Sequence, residues 1–500
     1  MLCCRISIFL VLVGLAACST TAPIPLELPA DDLAAYEGKL VTLAQPMWVA
    51  DSYNLERYGT LLLYAGESPR IFTSTRPPDA ERYAEHQADF AARSLLLEDG
   101  SFEQNVTPIR YLTPDFADGS SRPIRVGDRV TSATGVLRYT VDRRGGDQRA
   151  WRLVPTEPVE FEATNPRPSP IARTPGIVRV AGINALNAFF TLDRPGASCG
   201  PSGLDCRGAN TTRELERQFD KLAAGLAAID ADVYAVMEVE NDDGAALDQI
   251  SSRLSARRDV PYAAIDTGPI GTDAIRVGLI YNYTVVRPLG EFAVLDSSVD
   301  DEFIDTKNRP VLAQAFQTRT GETFVVAVNH LKSKGSDCDA LGDPDRGDGQ
   351  GNCNRTRARA ADAEIRWLAT DPTGSGDPDV LVIGDLNAYR YEDPLRPFAD
   401  AGYVNLVERD SGEGSYSFVF RGEAGALDHA LASPSLAGQV VSTVEWHVNA
   451  DEARVLDYNL DFDRDPALFS VDEAYRFSDH DPVIVDILLD SPSPAEGNSP

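Results

Sequence analysis

The chain has 500 residues, of which 43% are hydrophobic and 25% are charged, and this composition is typical of a globular protein of two or three domains. Its 46 Lys and Arg residues against 77 Asp and Glu residues give a formal net charge of −31, which excludes a passive nucleic-acid coat protein because the chain repels polyanions at long range. The same charge is compatible with a single cleft in which bound cations and local basic residues attract anions.

The N-terminal segment predicts export from the cytoplasm. An apolar run over residues 6–17 follows Arg5, and residues 15–18 read Leu-Ala-Ala-Cys, the pattern of a bacterial lipoprotein signal. We therefore predict that residues 1–17 are removed, that Cys18 carries a lipid anchor to the membrane, and that residues 18–30 form a tether. The alternative is a secretory signal cut near Ala22, so that the protein is secreted or periplasmic instead of an outer-membrane lipoprotein.

Residues 31–162 predict a small all-β domain. Short apolar runs lie between Gly, Pro and Asp residues at strand-like intervals, and these runs are residues 39–43, 59–64, 128–130, 135–139 and 151–154. Six prolines lie between residues 155 and 175, which predicts a linker over residues 163–175.

Residues 176–490 predict a larger mixed α/β domain, followed by a disordered tail over residues 491–500. The predicted strands are residues 177–183, 233–236, 277–281, 324–328, 380–383 and 483–489. A helix is predicted over Thr211–Ile229, where Thr211 and Glu214 have the spacing of a capping box. Another helix is predicted over Arg355–Leu368.

Four of the seven cysteines lie in this domain, and an even number in an exported chain indicates disulfides. Local pairing of Cys199 with Cys206 and of Cys338 with Cys353 is the simplest of three connectivities. A zinc site with four Cys ligands is the alternative, although the separations of seven and fifteen residues differ from the usual ligand spacing.

Ionisable and amide side chains stand at the ends of the predicted apolar strands. Strand ends of an α/β core open into one crevice, so groups far apart in sequence can meet there. The strand-end groups are Glu238, Asn329, His330, Asp385, Asn387, Asp428, Asp479 and His480. A single polar residue of this kind is usually a solvated residue at the end of a strand. Together, however, these residues include the carboxylates and imidazoles that acid–base and metal chemistry require.

These motifs resemble, in order, those of the endonuclease/exonuclease/phosphatase superfamily, and in particular its bacterial extracellular deoxyribonucleases. The motifs are residues 182–189, 237–238, 328–335, 384–388 and 478–482. The resemblance implies a catalytic domain built as a four-layer α/β sandwich. Residues 53–59 are similar to part of an OB-like domain that precedes the catalytic domain in many of these enzymes, which implies the same fold for residues 31–162.

Hydrolysis of a phosphodiester requires a hard cation to neutralise the phosphate, and carboxylate oxygens bind such a cation. We predict Mg²⁺, with Mn²⁺ or Ca²⁺ as alternatives, on Glu238 and Asn184, and the resemblance implies Asp479 as a further ligand. Many relatives have a carboxylate or Gln where this chain has Leu186, so the number of direct ligands stays open.

The remaining strand-end groups suit proton transfer. We predict that His480, oriented by Asp428, takes the proton of the attacking water. Asp385 would position that water and Asn387 would donate to a phosphoryl oxygen. His330 would stabilise developing charge or protonate the leaving oxygen.

Two polar or charged clusters lie within and after the His330 motif. Asn329, Lys332 and Lys334 are predicted to bind the substrate, because local positive charge can guide a polyanion to the cleft. The acidic residues 343–349 suggest either a structural Ca²⁺ loop or a solvated loop, and their spacing departs from that of an EF-hand.

The sequence as a whole predicts an extracytoplasmic, divalent-metal-dependent nuclease that hydrolyses phosphodiester bonds of DNA, and RNA as a second nucleic-acid substrate. The N-terminal domain is expected to assist substrate binding. The alternative is a phosphoesterase of the same fold that acts on a lipid head group or a small phosphate ester.

Overall fold

The computed structural model describes residues 22–101, 103–141 and 149–489. The predicted signal segment with Cys18 and the predicted tail lie outside these residues. Among the described helices, none has both the length and the apolar character needed to cross a membrane.

The N-terminal region contains one sheet in its described residues. Its strands are β1 (Ile24–Leu26), β2 (Leu40–Leu43), β3 (Met47–Asp51), β4 (Thr60–Tyr64), β5 (Ser94–Glu98), β6 (Arg129–Ser132), β7 (Thr134–Val141), β8 (Arg149–Pro155) and β9 (Glu160–Glu162). They lie in the order β1-β2-β7-β8-β5-β4-β3-β6-β9. Alternate residues such as Leu61 and Leu63 are buried in a common core, as the period of a strand requires.

Helices also occur in this region, so the all-β domain predicted from the sequence is wrong in this respect. They are α1 (Leu55–Tyr58), α2 (Phe72–Thr75) and α3 (Ala80–Arg93). The side chain of Asp79 caps α3 by accepting a hydrogen bond from the Arg82 amide at 2.9 Å. No residue of α3 is buried, so the apolar runs of the sequence gave no sign of this helix.

The remaining strands belong to the larger region. They are β10 (Val178–Ala188), β11 (Val233–Glu240), β12 (Tyr262–Ala264), β13 (Ile275–Asn282), β14 (Val286–Leu295), β15 (Val311–Thr318), β16 (Thr323–His330), β17 (Val380–Asp385), β18 (Val404–Asn405), β19 (Phe418–Phe420), β20 (Glu423–Gly425), β21 (Asp428–Ala432), β22 (Val440–Glu445) and β23 (Val483–Ile487). Two six-stranded sheets result, with the orders β12-β13-β11-β10-β23-β22 and β14-β15-β16-β17-β21-β18, and β19 pairs with β20 in a separate hairpin.

The helices of this region are α4 (Thr212–Ile229), α5 (Ala245–Arg258), α6 (Asn354–Leu368), α7 (Arg396–Asp400), α8 (Leu406–Ser411) and α9 (Pro434–Ala437). The helix predicted to begin after Thr211 is confirmed, and both hydrogen bonds of its capping box are present. The helix predicted over Arg355–Leu368 corresponds to α6.

The two six-stranded sheets pack face to face. Val180 and Val485 of one sheet share a core with Val326 and Leu381 of the other. Helices α4 and α5 pack on the outer face of the first sheet, and α6 packs on the outer face of the second. The predicted mixed α/β fold is therefore confirmed, with helices outside two central sheets.

Two disulfides close local loops in the predicted pairing. Cys199 and Cys206 have a Cα–Cα distance of 5.0 Å, and Cys338 and Cys353 have one of 5.2 Å. In the second loop, the carboxylate of Asp343 accepts hydrogen bonds from the amide and hydroxyl of Thr356 at 2.8 and 2.9 Å. This part of the acidic segment therefore caps the first turn of α6.

Candidate active site

The register of three strands brings the candidate residues to one edge of the second sheet. Strands β16 and β17 are parallel, and their last paired residues are His330 and Asp385. Strand β21 is antiparallel to β17, so its first residue, Asp428, pairs with Asp385. Residues at the ends of two strands and at the start of a third therefore meet.

Gly384 allows this approach. Its φ of +143° lies outside the range of other residues, and a Cβ at this position would lie 2.2 Å from the carbonyl oxygen of Asn329. The absence of a side chain here lets Asp385 turn toward the site.

His480 and Asp428 form a buried pair. Nδ1 of His480 lies 2.7 Å from Oδ2 of Asp428, and the hydroxyl of Ser417 donates to the same oxygen at 2.6 Å. Burial alone would lower the pKa of His480, but Asp428 outweighs it and raises that pKa well above the ordinary value. The ring of Phe418 stacks on the imidazole at a centroid distance of 4.5 Å. Nε2 is therefore the nitrogen available to a substrate water.

Glu238 lies beside Asn184 of the first strand motif. Its Oε1 accepts from the amide of Asn184 at 3.2 Å, and its Oε2 accepts from the backbone of Asn187 at 3.1 Å. Burial and the nearby Asp479 carboxylate raise the pKa of Glu238. Asp479 itself has no ion pair with a Lys, Arg or His side chain within the described residues.

Asp385 and Asn387 are both buried. Oδ1 of Asp385 accepts from the Asn387 backbone at 2.8 Å, and the Asn387 amide donates to the carbonyl of Leu331 at 3.1 Å. Burial and the Asp428 charge raise the pKa of Asp385 to about 7. One ligand atom from each of Asp385, Asp428 and His480 lies within 4.8 Å of the others.

His330 faces both acidic groups. Its Nε2 lies 3.9 Å from Glu238 and 3.6 Å from Asp385, and its Nδ1 is buried without a hydrogen-bond partner. Burial and the charge of Arg309, whose Nη1 lies 3.4 Å from Nε2, lower the pKa of His330 well below its ordinary value. His330 is therefore neutral near pH 7.

The three residues predicted to bind substrate make contacts within the protein. The amide nitrogen of the buried Asn329 donates to the carboxylate of Glu364 on α6, and it lies 2.7 and 2.8 Å from the two carboxylate oxygens. Lys332 donates to the hydroxyl of Ser336 at 2.8 Å, and Lys334 forms an ion pair with Glu392.

Arg309 also lies in the site, although no motif in the sequence pointed to it. Because β15 is antiparallel to β16, the start of β15 lies at the same edge as the end of β16. Polar residues just before β15 are therefore expected to lie near the site, for the same reason as those just after β16. The sequence Asn308-Arg309-Pro310 carried this signal.

A profile described as the Endonuclease/Exonuclease/phosphatase family matches residues 199–480, which is more than half of the chain. The chain belongs to the endonuclease/exonuclease/phosphatase family. Members of this family are phosphoesterase hydrolases and generally depend on divalent metals. No curated protein sequence matches the chain.

Several solved structures are similar to this chain over somewhat less than two thirds of its length. The family protein from Bacteroides vulgatus has 15% identity, covering 63% of this chain and 99% of its own, with a TM-score of 0.40. The human nocturnin catalytic domain with bound sulfate has 16% identity, 62% and 94% coverage and a TM-score of 0.39. Danio rerio TDP2 complexed with a single-strand DNA product has 12% identity, 62% and 98% coverage and a TM-score of 0.37.

The residues present fit the divalent cation on which this family generally depends. Glu238, Asp385, Asp428 and Asp479 place four carboxylates in one site, and burial together with their mutual repulsion raises the pKa of two of them. Oxygen donors with uncompensated negative charge are the ligands that a hard divalent cation prefers. Nδ1 of His480 is bonded to Asp428, so this nitrogen is not counted among the cation ligands.

Proposed function

We propose that this chain is an extracytoplasmic, divalent-metal-dependent nuclease that hydrolyses phosphodiester bonds of DNA. The observation that carries the proposal is the pair His480–Asp428, which lies in one site with three further carboxylates and a neutral imidazole, His330. This combination supplies a proton acceptor, cation ligands and a second polar group for the phosphate.

His480 would act as the general base in its neutral form, because a cation bound beside it would offset the charges of Asp479 and Asp385 that help to raise its pKa. Asp428 and the Ser417 hydroxyl fix the imidazole through Nδ1, so Nε2 is the atom that takes the proton of the attacking water. A divalent cation held by Glu238, Asn184 and Asp479 would neutralise charge on the phosphate when bound.

The other groups would act on the phosphate itself. Asp385 would orient the water, and the Asn387 amide would donate to a phosphoryl oxygen. His330 is held neutral by burial and Arg309, so it would serve as a hydrogen-bond donor to developing charge. Arg309 is in our proposal a positioning residue that acts through His330.

The cavity beside the pair supports a nucleic-acid substrate over a lipid head group. It has a volume of about 350 Å³, and most of its lining is polar or charged, including Arg476, Asp479 and Asn187. A lipid substrate would call for an apolar wall next to its head group, and RNA would be accommodated by the same polar groups as DNA.

An oxidising compartment is supported by the two disulfides. Lipid attachment at Cys18 and the OB-like character of the N-terminal sheet remain parts of the proposal. Mass spectrometry of the membrane fraction of a bacterial host tests the first, since an unmodified Cys18 would contradict it.

Activity on a panel of substrates tests the proposed function. The purified mature chain should hydrolyse plasmid and linear DNA in Mg²⁺, lose this activity in EDTA and regain it when Mg²⁺ is restored. RNA, a lipid phosphodiester and a sugar phosphate are the comparison substrates. Hydrolysis of the lipid or the sugar phosphate with no cleavage of DNA or RNA would overturn the proposal.

A further inference from the structure

A second wall of the active-site cavity comes from the N-terminal sheet. The 350 Å³ cavity that contains Asn187 and Asp479 is also lined by Asp51, Ser52 and Tyr53, which end and follow β3. Its size lies in the range of about 300–1,000 Å³ in which ligand pockets fall. The side chains that line these two walls therefore determine which ligand the cavity can bind.

Arg476 is the cation of this cavity without a carboxylate partner within the described residues. Its Nη1 donates to the backbone carbonyl of Asn449 at 2.8 Å, and its Nε is buried without a hydrogen-bond partner. Its φ of +60° is a backbone conformation that non-glycine residues seldom adopt. Backbone strain and a guanidinium without a carboxylate partner are typical of a residue that binds a ligand, whereas a structural arginine usually pairs with a carboxylate.

The carboxylates around the cavity are, in contrast, largely paired. The carboxylate of Glu452 accepts hydrogen bonds from two nitrogens of Arg167, at 2.7 and 3.0 Å. The carboxylate of Asp457 accepts a hydrogen bond from Arg464 at 2.6 Å. With Glu452 and Asp457 paired, and with Asp479 a ligand of the proposed cation, Arg476 is the cationic group available to an incoming anion.

Tyr53 presents an aromatic side chain on the opposite wall. It is 55% exposed, and its hydroxyl accepts from Arg454 at 3.1 Å, with the guanidinium 5.2 Å from the ring centroid. These contacts hold the ring in place without burying it. Two other tyrosines of this region are engaged elsewhere: Tyr58 of α1 is buried, and Tyr64 of β4 stacks on Phe90 at 5.3 Å.

We propose that this cavity is a nucleotide subsite formed by both regions of the chain. Arg476 binds the phosphate next to the scissile one, and Tyr53 stacks on the base of that nucleotide. Stacking on an aromatic side chain and a guanidinium–phosphate contact are the usual recognition of single-stranded nucleic acid. The inference rests on the proposed nuclease function and assigns substrate selection to Tyr53 and Arg476.

Kinetics of the Tyr53→Ala variant test the stacking. The substrates are a single-stranded DNA oligonucleotide and bis-p-nitrophenyl phosphate, which has no flanking nucleotide. Because one stacked base is worth about tenfold or more in affinity, we expect KM for DNA to rise about tenfold with little change in kcat. The rise should exceed that for bis-p-nitrophenyl phosphate at least about fivefold. Tyr283→Ala, which removes an equally exposed tyrosine between β13 and β14, is the matched control and should leave KM for DNA unchanged.

Salt dependence tests the phosphate contact separately. Arg476→Gln should raise KM for DNA and reduce the slope of log KM against log salt concentration by about one, and Arg476→Lys should restore the slope. An unchanged KM for DNA in Tyr53→Ala, or an equal rise for both substrates, would overturn the subsite while the nuclease function stands. A wild-type chain that hydrolyses bis-p-nitrophenyl phosphate but no oligonucleotide would overturn the nuclease function and the subsite with it.

Discussion

Several residues of the candidate site have positive φ without being glycine. They are Leu186, Asn187, Glu238, Asn387 and Arg476. Such conformations cost about 1–3 kcal/mol each and persist where the surrounding structure fixes them. Strands β10 and β11 both change register at this point, between Asn184 and Ala188 and between Val236 and Val239. The backbone irregularity thus coincides with the residues that turn toward the site.

The residue types of the site were readable from the sequence, but their contacts were not. Asn329 follows an apolar strand just as His330 does, yet its amide faces Glu364 on α6 and is fully buried. Alternation along a strand explains the difference, because neighbouring residues point to opposite faces. The position at which β16 ends could be predicted from the sequence. Which face of β16 packs against α6 could not.

The burial of Glu364 beside Asn329 predicts a pH-dependent stability. Burial raises the pKa of Glu364 from 4.5 to about 8, so this carboxyl is protonated in the folded chain and ionised in the unfolded chain between these values. The stability of the wild type should therefore fall as the pH rises from about 5 to 8, by up to about 1.4 kcal/mol per pH unit from this group.

Urea unfolding of the wild type and of Glu364→Gln at several pH values measures this effect. Gln stays neutral, so the variant should gain stability relative to the wild type as the pH rises. Parallel pH profiles for the two proteins would show that Glu364 has no raised pKa.

At the scale of elements, local signals predicted what local interactions determine. The capping box at Thr211 marked the start of α4, and the apolar runs marked most strands of the core. Helix α3 has no buried face, so its sequence has no periodic run of core residues from which a helix could be predicted. The pairing of β15 with β16 is a long-range property, and this is why Arg309 was missed beside His330.

The contact between the start of β15 and the end of β16 predicts an electrostatic effect on His330. Burial and then the Arg309 charge lower the pKa of His330, so Arg309→Gln should raise that pKa toward its ordinary value. NMR titration of the His330 imidazole in the metal-free protein measures the change. Arg319→Gln, in the turn at the other end of β15, is the control; an equal pKa in all three proteins would show that Arg309 does not act on His330.

At the scale of the whole molecule, the N-terminal region contacts the loop that supports His480. Arg125 is fully buried and donates to Asp451 at 3.2 Å and to the His447 carbonyl at 2.7 Å. In the same loop, Asn449 donates to the His480 carbonyl at 2.7 Å. The two regions were predicted as separate units, and no short-range pattern in the sequence indicated this buried ion pair.

Loss of Arg125 should therefore affect both stability and catalysis. Arg125→Ala leaves Asp451 buried without this partner, and we expect about 3–5 kcal/mol less stability and a lower kcat even for bis-p-nitrophenyl phosphate. Arg125→Lys should recover part of both. Arg129→Ala, at the start of β6 in the same region, serves as control. Wild-type stability and kcat in Arg125→Ala would show that the contact has no positioning role.

The rate of DNA hydrolysis by His480→Ala tests whether the His480–Asp428 pair is the base of a phosphodiesterase site. With saturating Mg²⁺ and with folding checked by thermal melting, we expect turnover to fall about 10²–10⁴-fold relative to the wild type. Turnover near that of the wild type in the folded variant would contradict the account.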